Sequence, residues 1–453
     1  MEAKGESRFS ILMFPWIAHG HVFPFLELAK NLSNNNFNIY FCSTAIILDS
    51  IKNSLQQQSD SSIQLVELQL PSFPDLPPHF HTTKNVPPEL MPRLFQAFQM
   101  SIPCFSDIIA NLRPDLLVYD VFQPWAARKA SSLNIPAIHF ATTGAAGYSF
   151  FYHSFTVRDS AFPYPELYLK HYERKGLKAA VGQLITRDHE GGKDLSFGHF
   201  TMSRDIILMK TCRGIEGKYV DYLSDLCKKN IVPVGPLIVQ SNNEEDGSEI
   251  VEWLSKKPEL STVLISFGSE NYLCKDQMEE IAKGLELCDV NFIWVVRSPG
   301  TETININEAM PNGFLDRVKE RGVVVQGWVP QAKILAHKSV GAFMSHCGMN
   351  SVMESFCFGV PVIAVPLKFD QPLNARLVVE AGAGVEVARD EEGNFKSDGV
   401  ANAINEVMAK RSGEKLRFRA MELSEKMKNE EEDAMNKAAE ELLQLCMKYK
   451  QQT

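Results

Sequence analysis

Residues 9–44 read FSILMFPWIAHGHVFPFLELAKNLSNNNFNIYFCST, and the pattern of this stretch indicates the fold class. Residues 9–16 form a continuous apolar run that is typical of a buried strand. Residues 23–33 place apolar side chains at helical spacing, and residues 37–44 form a second strand-like run. A strand, a helix and a strand in this order predict a parallel βαβ unit at the start of an α/β domain.

Two further strand-like runs end in polar residues. Residues 114–120 (PDLLVYD) close at Asp120, and residues 135–144 (IPAIHFATTG) close at Thr142 and Thr143. The carboxyl ends of parallel strands lie along one edge of a sheet, where α/β proteins bind their ligands. The polar residues at these strand ends are therefore candidate site residues.

A second α/β series follows a polar stretch that contains proline and glycine. Residues 232–249 (VPVGPLIVQSNNEEDGSE) are typical of an interdomain linker, and we place the boundary close to residue 245. From about Asp398 onward, strong helix formers predict an amphipathic pair of terminal helices. The strand-like runs of the second series are 261–268, 291–297, 322–329, 341–348, 359–367 and 382–387.

Length and composition define the class of protein. The 453 residues suffice for two or three domains, and 45% hydrophobic with 22% charged residues is the usage of an ordered globular protein. A net charge of −9 without a long basic block argues against a nucleic-acid partner. Nine cysteines without a CxxC pair predict reduced thiols in the cytoplasm. No segment reaches the roughly 18 consecutive apolar residues of a membrane span.

The most informative motif is MSHCGMNSVMES at residues 344–355. We interpret it as the end of a strand, a tight turn at Gly348 and the first turns of a helix that carries Asn350, Ser351 and Glu354. Such a turn directs free backbone N–H groups and the positive end of the helix towards an anion such as a phosphate. Glu354, one turn further, can accept hydrogen bonds from ribose hydroxyls. The alternative is a helix capped by Asn350 without any ligand.

The 44 residues from Trp328 to Gln371, WVPQAKILAHKSVGAFMSHCGMNSVMESFCFGVPVIAVPLKFDQ, resemble the signature box of plant UDP-sugar-dependent glycosyltransferases of family 1. The stretches FPWIAHGHVFPFLELAK, PDLLVYD, VGPL and VLISFGSE are similar to segments of that family in the same order. The resemblance implies the GT-B fold, in which two Rossmann-like domains face a cleft and a C-terminal helix returns to the N-terminal domain. It implies an acceptor-binding domain over residues 1–240, a UDP-sugar-binding domain over 250–430 and the returning helix over 431–453.

The resemblance also implies roles for individual residues. Trp328 would stack on the uracil ring, and Val329 would offer its backbone groups to the edge of the base. Asp370 and Gln371 would hydrogen-bond the sugar hydroxyls. The helix end and the imidazole of His346 would balance the charge of the diphosphate, so that no metal and no cofactor beyond the UDP-sugar co-substrate is expected. The expected ribose contacts are Gln331 and Glu354, and the expected diphosphate contacts are Ser269, His346, Gly348, Asn350 and Ser351.

Met349 departs from the family, which has Trp directly after the HCG triplet. A thioether fills apolar space but offers no strong hydrogen-bond donor to a sugar. We therefore expect altered discrimination between donor sugars, with Met349→Trp raising the selectivity for glucose. The alternative is a neutral substitution whose contact is made by the backbone.

Candidate catalytic residues lie in the N-terminal half. His21 follows Gly20 at the end of the first strand, where an imidazole facing the cleft can take a proton from an acceptor hydroxyl. Asp120 can fix the tautomer of that ring and stabilise the imidazolium. The catalytic pair of the family falls on these two positions, and the family places a hydroxyl near the sugar or diphosphate at Thr142 and Thr143. The alternatives are a turn histidine at His21 and a helix cap at the threonines.

Two HxH pairs, His19 with His21 and His79 with His81, make a metal site an alternative reading of these histidines. The second pair lies in a proline-rich loop, where no neighbouring Asp or Cys completes a known ligand pattern, so we predict no metal. Aromatic residues are candidates for the wall of the acceptor pocket or for plain core. The candidates are this loop, Trp125, Phe150 and Tyr152.

Together with the resemblance, these residues predict an inverting transferase that moves glucose from UDP-glucose to a hydroxyl of a small plant metabolite. The segments FGSE, GIEGKYVDYLS and PPHFHTTKNVPPELM resemble the branch of the family that extends an existing sugar. That branch implies a triterpenoid, flavonoid or apocarotenoid glycoside as acceptor. We expect a cytoplasmic monomer that binds neither nucleic acid nor membrane.

Other functions stay open. The enzyme alternatives are an aglycone O-glucosyltransferase and a transferase that uses a different UDP-sugar, such as UDP-xylose. A nucleotide-sugar binding protein without turnover would need no base, and the presence of both His21 and Asp120 argues against it. A dinucleotide oxidoreductase is disfavoured because IAHGHVFP after the first strand is not a GxGxxG turn.

Overall fold

The computed structural model describes residues 8–56, 62–157, 159–185, 197–239, 247–297, 305–409 and 411–451. The chain forms two sheets within these ranges, and all strand pairs of both sheets are parallel. The predicted α/β fold is therefore confirmed. The linker boundary predicted near residue 245 lies outside the described residues.

The first sheet is built from the N-terminal half of the chain. Its strands are β1 (Phe9–Phe14), β2 (Phe37–Ser43), β3 (Ile63–Glu67), β4 (Leu116–Tyr119), β5 (Ala137–Ala141), β6 (Ile206–Met209) and β7 (Asn230–Pro233). They are ordered β3-β2-β1-β4-β5-β6-β7, so the chain moves outward from β1 and then returns to the other side of β1 with β4. The crevice at this reversal is where open α/β sheets bind ligands.

Helices connect these strands. They are α1 (His19–Asn34), α2 (Ala45–Gln56), α3 (Met91–Gln99), α4 (Ile102–Leu112), α5 (Pro124–Ser132), α6 (Ala145–Thr156), α7 (His171–Ile185), α8 (Gly198–Met202) and α9 (Arg213–Cys227), with short 3-10 turns at Pro78–Phe80 and Pro88–Leu90. The central strands that they join are buried on both faces, as in other parallel sheets, and β4 and β5 are fully buried, whereas the edge strand β3 is partly exposed.

The second sheet repeats the same topology. Its strands are β8 (Thr262–Ser266), β9 (Asn291–Val296), β10 (Gly322–Gln326), β11 (Val340–Ser345), β12 (Val362–Ala364) and β13 (Gly384–Glu386). Their order is β10-β9-β8-β11-β12-β13, with the reversal between β8 and β11. Its helices are α10 (Ser248–Ser255), α11 (Lys275–Glu286), α12 (Ile306–Ala309), α13 (Phe314–Val318), α14 (Gln331–Leu335), α15 (Met349–Cys357), α16 (Gln371–Glu380), α17 (Ser397–Met408) and α18 (Arg411–Lys450).

Helix α1 begins earlier than its apolar spacing predicts. Ala18 has an extended backbone and its carbonyl oxygen accepts the N–H groups of His21 and Val22, both at 2.9 Å. The helix therefore starts at His19, and His21 lies in its first turn rather than in a loop after β1. This start fixes the backbone of His21 by helical hydrogen bonds.

Helix α18 spans both halves of the molecule. Its first part packs with the second half of the chain, where Leu423 and Met427 are buried in a cluster that includes Phe356. Its later part packs on the first sheet, where Ala438 and Leu442 are fully buried in the core. None of the helices within the described ranges combines the length and the apolarity that a bilayer crossing requires.

Candidate active site

The candidate site lies in a cleft between the carboxyl ends of the two sheets. A cavity of about 2120 Å³ opens there and is lined by both halves of the chain. The first sheet contributes the segments after β1 and β4, and the second contributes those after β8 and β11, so the two reversal points face each other. The predicted site residues that line the cavity are Gly20, His21, Thr142, Thr143, Ser269, Trp328, Val329, Gln331, His346, Gly348, Met349, Asn350, Ser351, Glu354, Asp370 and Gln371.

Asp120 lies behind His21 and is hydrogen-bonded to it. Asp120 directly follows β4 and is 1% exposed, and its Oδ2 atom is 2.8 Å from Nδ1 of His21. The carboxylate also accepts the backbone N–H groups of Trp16 at 2.9 Å and Val121 at 2.7 Å. These bonds hold the carboxylate, which favours the tautomer with a proton on Nδ1 and leaves Nε2 to accept one.

The two groups are electrostatically coupled. Burial opposes protonation of the imidazole, but the charge and the hydrogen bond of Asp120 outweigh it and raise the pKa of His21. Burial also disfavours a charged carboxylate, yet the imidazole and the backbone donors lower the pKa of Asp120. The carboxylate therefore stays ionised, and the imidazole binds a proton more tightly than an ordinary histidine, as a general base requires.

Thr142 and Thr143 follow β5 and connect the two halves of the site. Thr142 Oγ1 lies 3.1 Å from Nδ1 of His21, and Thr143 Oγ1 donates to Asp370 Oδ2 at 2.6 Å across the cleft. The N-cap residue of α6 is Gly144, which carries no side chain that could cap the helix. The threonine hydroxyls are therefore partners of the site residues and not helix caps.

His346 follows β11 directly and is enclosed by two glycines. A Cβ atom on Gly268 would lie 2.7 Å from Cε1 of His346, and one on Gly348 would lie 2.5 Å from its Nε2. Gly268 also has a φ of +78°, a left-handed conformation that favours glycine. Burial and the charge of Lys368 lower the pKa of His346 to about 3, so the ring is neutral at pH 7. Without a bound anion, His346 therefore offers a hydrogen bond rather than a positive charge.

The start of α15 makes contact with the catalytic segment. Asn350 Nδ2 donates to the carbonyl oxygen of Gly20 at 2.9 Å, so a side chain of the second half touches the residue before His21. The first backbone N–H groups of the helix have no intrahelical partner and carry the positive end of the helix dipole. This end of α15 can therefore bind an anion.

A polar pair lies one turn further along the same helix. Glu354 accepts a hydrogen bond from Gln331 Nε2 at 2.5 Å, and that nitrogen lies 3.4 Å from Ser351 Oγ. Burial raises the pKa of Glu354, against the hydrogen bond of Gln331 and the charge of Lys210. A carboxylate oxygen and an amide at this spacing can hydrogen-bond a vicinal diol.

Trp328 exposes an aromatic face to the cavity. Its side chain is 57% exposed, with Arg297 Cζ 5.3 Å and Lys84 Nζ 5.9 Å from the ring centroid. Burial, with the charges of Lys84 and Arg297, lowers the pKa of the adjacent His19 to about 4. A large exposed indole beside cationic groups suits a planar, electron-rich ring as ligand.

The remaining donor-site residues are held by the protein itself. Gln371 Oε1 accepts the N–H groups of Leu367 and Lys368, both at 3.0 Å. Met349 is 3% exposed, and a Cβ atom on Gly144 would lie 2.2 Å from its Cε. Met349 therefore fills the contact between the two halves of the molecule at the point where the family has Trp.

Two buried charged residues of the site were missed by sequence reasoning. Lys210 directly follows β6, a short apolar run that was not singled out as a strand from the sequence. Glu216 lies in α9, where its carboxylate accepts the backbone N–H of Ala146 at 2.8 Å and the hydroxyl of Thr211 at 2.5 Å. The rule that found Asp120, a polar residue directly after a strand, also applies to Lys210.

The pocket aromatics and the histidine pairs have separate outcomes. Phe150 lines the cavity, whereas Trp125 packs in the core with Phe14 and Phe105, because its ring fits edge-on between them. Tyr152 packs against Phe197 and does not line the cavity. In the part of the chain that the structure describes, no group of three or more His, Cys, Asp or Glu residues is placed to hold a metal ion.

Comparison with known proteins gives matches over nearly the whole chain. Residues 7–239 match the family "Glycosyltransferase, N-terminal domain", and residues 220–439 match "UDP-glucoronosyl and UDP-glucosyl transferase". The chain is 52% identical over 442 residues to mogroside IIIx synthase of Siraitia grosvenorii, which covers 96% of this chain and 97% of that protein. It is 45% identical over 436 residues to the beta-D-glucosyl crocetin beta-1,6-glucosyltransferase of Gardenia jasminoides, covering 96% and 98% respectively.

A solved structure gives the corresponding likeness in three dimensions. Glycyrrhiza uralensis UGT73P12, crystallised with glycyrrhetinic acid 3-O-monoglucuronide, matches this chain with a TM-score of 0.85 at 24% identity. The match covers 98% of this chain and 97% of that one. At this level of identity the likeness shows the fold, and it confirms the predicted GT-B architecture.

Proposed function

Because this chain belongs to the "UDP-glucoronosyl and UDP-glucosyl transferase" family, we propose that it transfers glucose from UDP-glucose to a sugar hydroxyl of a small plant glycoside. The chain is a UDP-glycosyltransferase. What we propose is the identity of the donor sugar, the class of acceptor and the inversion at the anomeric carbon. The observation that carries the proposal is the His21–Asp120 pair, whose imidazole lines the same cavity as Trp328, His346 and Glu354. A binding protein without turnover would not need this base.

The proposed reaction is one in-line displacement with inversion. The acceptor hydroxyl gives its proton to Nε2 of His21, and its oxygen forms a bond to the anomeric carbon while the bond from that carbon to the UDP oxygen breaks. Asp120 stabilises the imidazolium through Nδ1. The departing diphosphate is stabilised by the N–H groups at the start of α15 and by a hydrogen bond from His346.

The donor is held by residues of the second half of the chain. We propose that uracil stacks on Trp328 with its edge on the backbone of Val329, and that Gln331 and Glu354 bind the ribose. Ser269, Gly348, Asn350 and Ser351 surround the diphosphate, and Asp370 with Gln371 binds the sugar. The nearness of these groups in one cavity supports the arrangement, which requires no resident metal.

The acceptor side of the cavity is aromatic. Several phenylalanines from the first half of the chain line the cavity, among them Phe95, Phe122, Phe150, Phe151 and Phe197. Such a lining suits an apolar aglycone of the triterpenoid, flavonoid or apocarotenoid kind, whose attached sugar reaches His21. The name of the Gardenia jasminoides relative states that it acts on glucosyl crocetin, an acceptor that already carries glucose. This name supports a glycoside as the acceptor here.

The test is UDP release by the purified protein with UDP-glucose and a panel of glycosides, each beside its aglycone. We expect turnover with glycosides, a loss of at least about a hundredfold in His21→Ala, and unchanged rates in His171→Ala, an exposed histidine away from the pair. Turnover with aglycones alone would favour the aglycone transferase. Full activity of His21→Ala would exclude His21 as the base.

We also propose that the enzyme is a cytoplasmic monomer. All nine cysteines are free, which supports a reducing compartment. Light scattering of the purified protein is expected to give the molar mass of one chain, and a mass of two chains would contradict the monomer.

A further inference from the structure

Lys210 is a buried lysine at the edge of the first sheet that faces the cleft. It directly follows β6, and its backbone N–H donates to the carbonyl oxygen of Ala141 at 2.9 Å. The residue is 2% exposed, although its side chain borders the cavity. A lysine is rarely buried to this degree unless a partner or a ligand compensates its charge.

The ammonium group of Lys210 is bound to the start of α15. Its Nζ atom donates to Asn350 Oδ1 at 2.5 Å, and Nδ2 of the same amide donates to the carbonyl oxygen of Gly20 at 2.9 Å. An ammonium can only donate and a carbonyl oxygen can only accept, so the two partners fix which way the amide points. Lys210 thus fixes the orientation of the Asn350 side chain, which connects α15 to Gly20, the residue before His21.

The charge of Lys210 has no close counter-ion among the side chains of the described ranges. Among the residues that the structure describes, no carboxylate oxygen lies within salt-bridge distance of Nζ. Burial lowers the pKa of Lys210 to about 8, which the more distant charges only partly oppose. The titratable groups that face it are Glu354 and Cys357 on α15, Cys212 after β6 and Glu27 on α1.

The neighbouring anion site has little fixed positive charge of its own, and the charge of Lys368 reaches it from the side of His346. His346 is neutral at pH 7, and the end of α15 offers only the partial charge of its dipole. A diphosphate that binds there carries at least two negative charges. The ammonium of Lys210 is therefore bound to Asn350, a residue of the same first turn of α15 whose N–H groups form the anion site.

We propose that Lys210 is the positioning residue of the diphosphate site, which orients Asn350 and adds a full positive charge behind it. The inference rests on the proposed function, because it takes the anion at α15 to be the diphosphate of a UDP-sugar. Asn350 also donates to the carbonyl oxygen of Gly20, the residue before His21. Lys210 therefore acts on the position of the diphosphate and on the position of His21 through the same amide. Its loss is expected to weaken diphosphate binding and the step in which UDP leaves.

The test compares Lys210→Met, Lys210→Arg and wild type by titration with UDP and with uridine, neither of which needs an acceptor. Hydrogen bonds to charged groups contribute about 1.5–3 kcal/mol, which corresponds to a loss of about tenfold to a hundredfold in affinity. We expect Lys210→Met to lose UDP affinity by that factor and to keep its affinity for uridine, with Lys210→Arg recovering most of the loss. Lys229→Met is the matched control, since Lys229 directly precedes β7 of the same sheet and donates to Ser203 O at 2.6 Å outside the cavity.

The pH dependence gives an independent readout that a merely structural role would not move. In the free enzyme Lys210 loses its proton near pH 8, so kcat/KM for UDP-glucose is expected to fall above that pH in wild type. Arg stays protonated, so Lys210→Arg should shift this alkaline limb to higher pH. In wild type the bound diphosphate stabilises the protonated lysine, so the alkaline limb of kcat should lie at higher pH than that of kcat/KM.

Each outcome decides the inference. Equal losses for UDP and uridine, no loss for either, or an alkaline limb unmoved in Lys210→Arg would overturn it. If Lys210→Met does not fold, the Lys210→Arg profile and a UDP titration of Lys210→Gln decide. A wild type that binds UDP through Lys210 but transfers no sugar would refute the proposed function and leave this inference standing.

Discussion

The catalytic pair depends on how one carboxylate oxygen is shared. Asp120 Oδ2 accepts from both the backbone of Trp16 and Nδ1 of His21, while its other oxygen accepts from the backbone of Val121. An amide in its place turns an NH2 group towards at least one of these donors and carries no negative charge to stabilise an imidazolium. We expect Asp120→Asn to lower kcat by about 10²-fold or more, with the KM for UDP-glucose nearly unchanged. Initial rates at saturating donor measure this. Asp221→Asn, at an exposed ion pair, is the control, and an equal loss in both would point to misfolding.

The same variant has a defined effect on pH dependence. His21 must be unprotonated to act as the base, and Asp120 raises the pKa of His21, so kcat/KM falls as the pH drops through that raised value. Removing the carboxylate charge removes the main cause that raises the pKa of His21. The acid limb of Asp120→Asn should therefore lie at lower pH than that of wild type, and an unmoved limb would assign it to another group.

Met349 remains the predicted determinant of the donor sugar. Because it is buried against Gly144, an indole at this position must displace the segment that carries Thr142 and Thr143 or point towards the sugar. We expect Met349→Trp to raise the preference for UDP-glucose over UDP-xylose and UDP-galactose, measured as ratios of kcat/KM, and to destabilise the fold by about 1–3 kcal/mol. Met349→Leu conserves volume and should leave the ratios unchanged. An identical profile in Met349→Trp would refute the prediction.

Among the elements, α6 depends on a carboxylate from another helix. Glu216 of α9 accepts the N–H of Ala146 at the start of α6, next to the segment that carries the site threonines. Burial raises the pKa of Glu216 to about 7, although hydrogen bonds from Thr211 and Ala146 oppose it. In the unfolded chain the same carboxyl has an ordinary pKa near 4.5.

This difference makes stability depend on pH. Between about 4.5 and 7 the folded state keeps a proton that the unfolded state loses, so the free energy of unfolding decreases as the pH rises through this window. Glu216→Gln has no such proton. The difference between the free energy of unfolding of this variant and that of wild type should therefore be about 2 kcal/mol more favourable to the variant at pH 7.5 than at pH 5. Urea denaturation at the two pH values measures the difference. A constant difference would show that Glu216 does not titrate in this range.

The elements differ in how far the sequence could predict them. The long apolar runs at β1, β8 and β11 identify buried parallel strands, because both faces of such strands are covered and no alternation is needed. The short run of β6 was not recognised, although β4 has the same length, because no apolar run between residues 200 and 230 was considered as a strand; Lys210 was therefore not placed at the edge of the site. The start of α1 was misplaced because a backbone cap at Ala18, rather than apolar spacing, sets it.

At the scale of the molecule, the two halves are joined across the cleft at several points. Thr143 with Asp370 and Asn350 with Gly20 connect them beside the site, and Thr83 donates to Glu270 Oε1 at 2.6 Å at the rim. The sequence indicated most donor-site residues through one contiguous stretch with a family resemblance. It could not indicate these pairs, because each joins residues more than 180 positions apart whose contact depends on the docking of two finished domains.

The deepest of these contacts is a buried ion pair between α7 and α16. Arg376 Nη2 donates to Glu173 Oε1 at 2.9 Å, and the two side chains are 4% and 5% exposed. Arg376 is also 3.5 Å from Glu386, which belongs to its own half of the chain. Burial disfavours each charge alone, so each partner depends on the other to remain in the interface.

Breaking this pair tests whether it holds the halves together. Arg376→Met leaves a buried carboxylate without its partner and should lower the free energy of unfolding by about 3–5 kcal/mol. Glu173→Gln combined with Arg376→Met removes both charges and should recover most of that loss, as urea denaturation can measure. Lys256→Met, at an exposed pair with Glu252, should change stability by less than about 1 kcal/mol. If the losses of Arg376→Met and of Glu173→Gln simply add in the double variant, the pair contributes nothing specific to the contact between the halves.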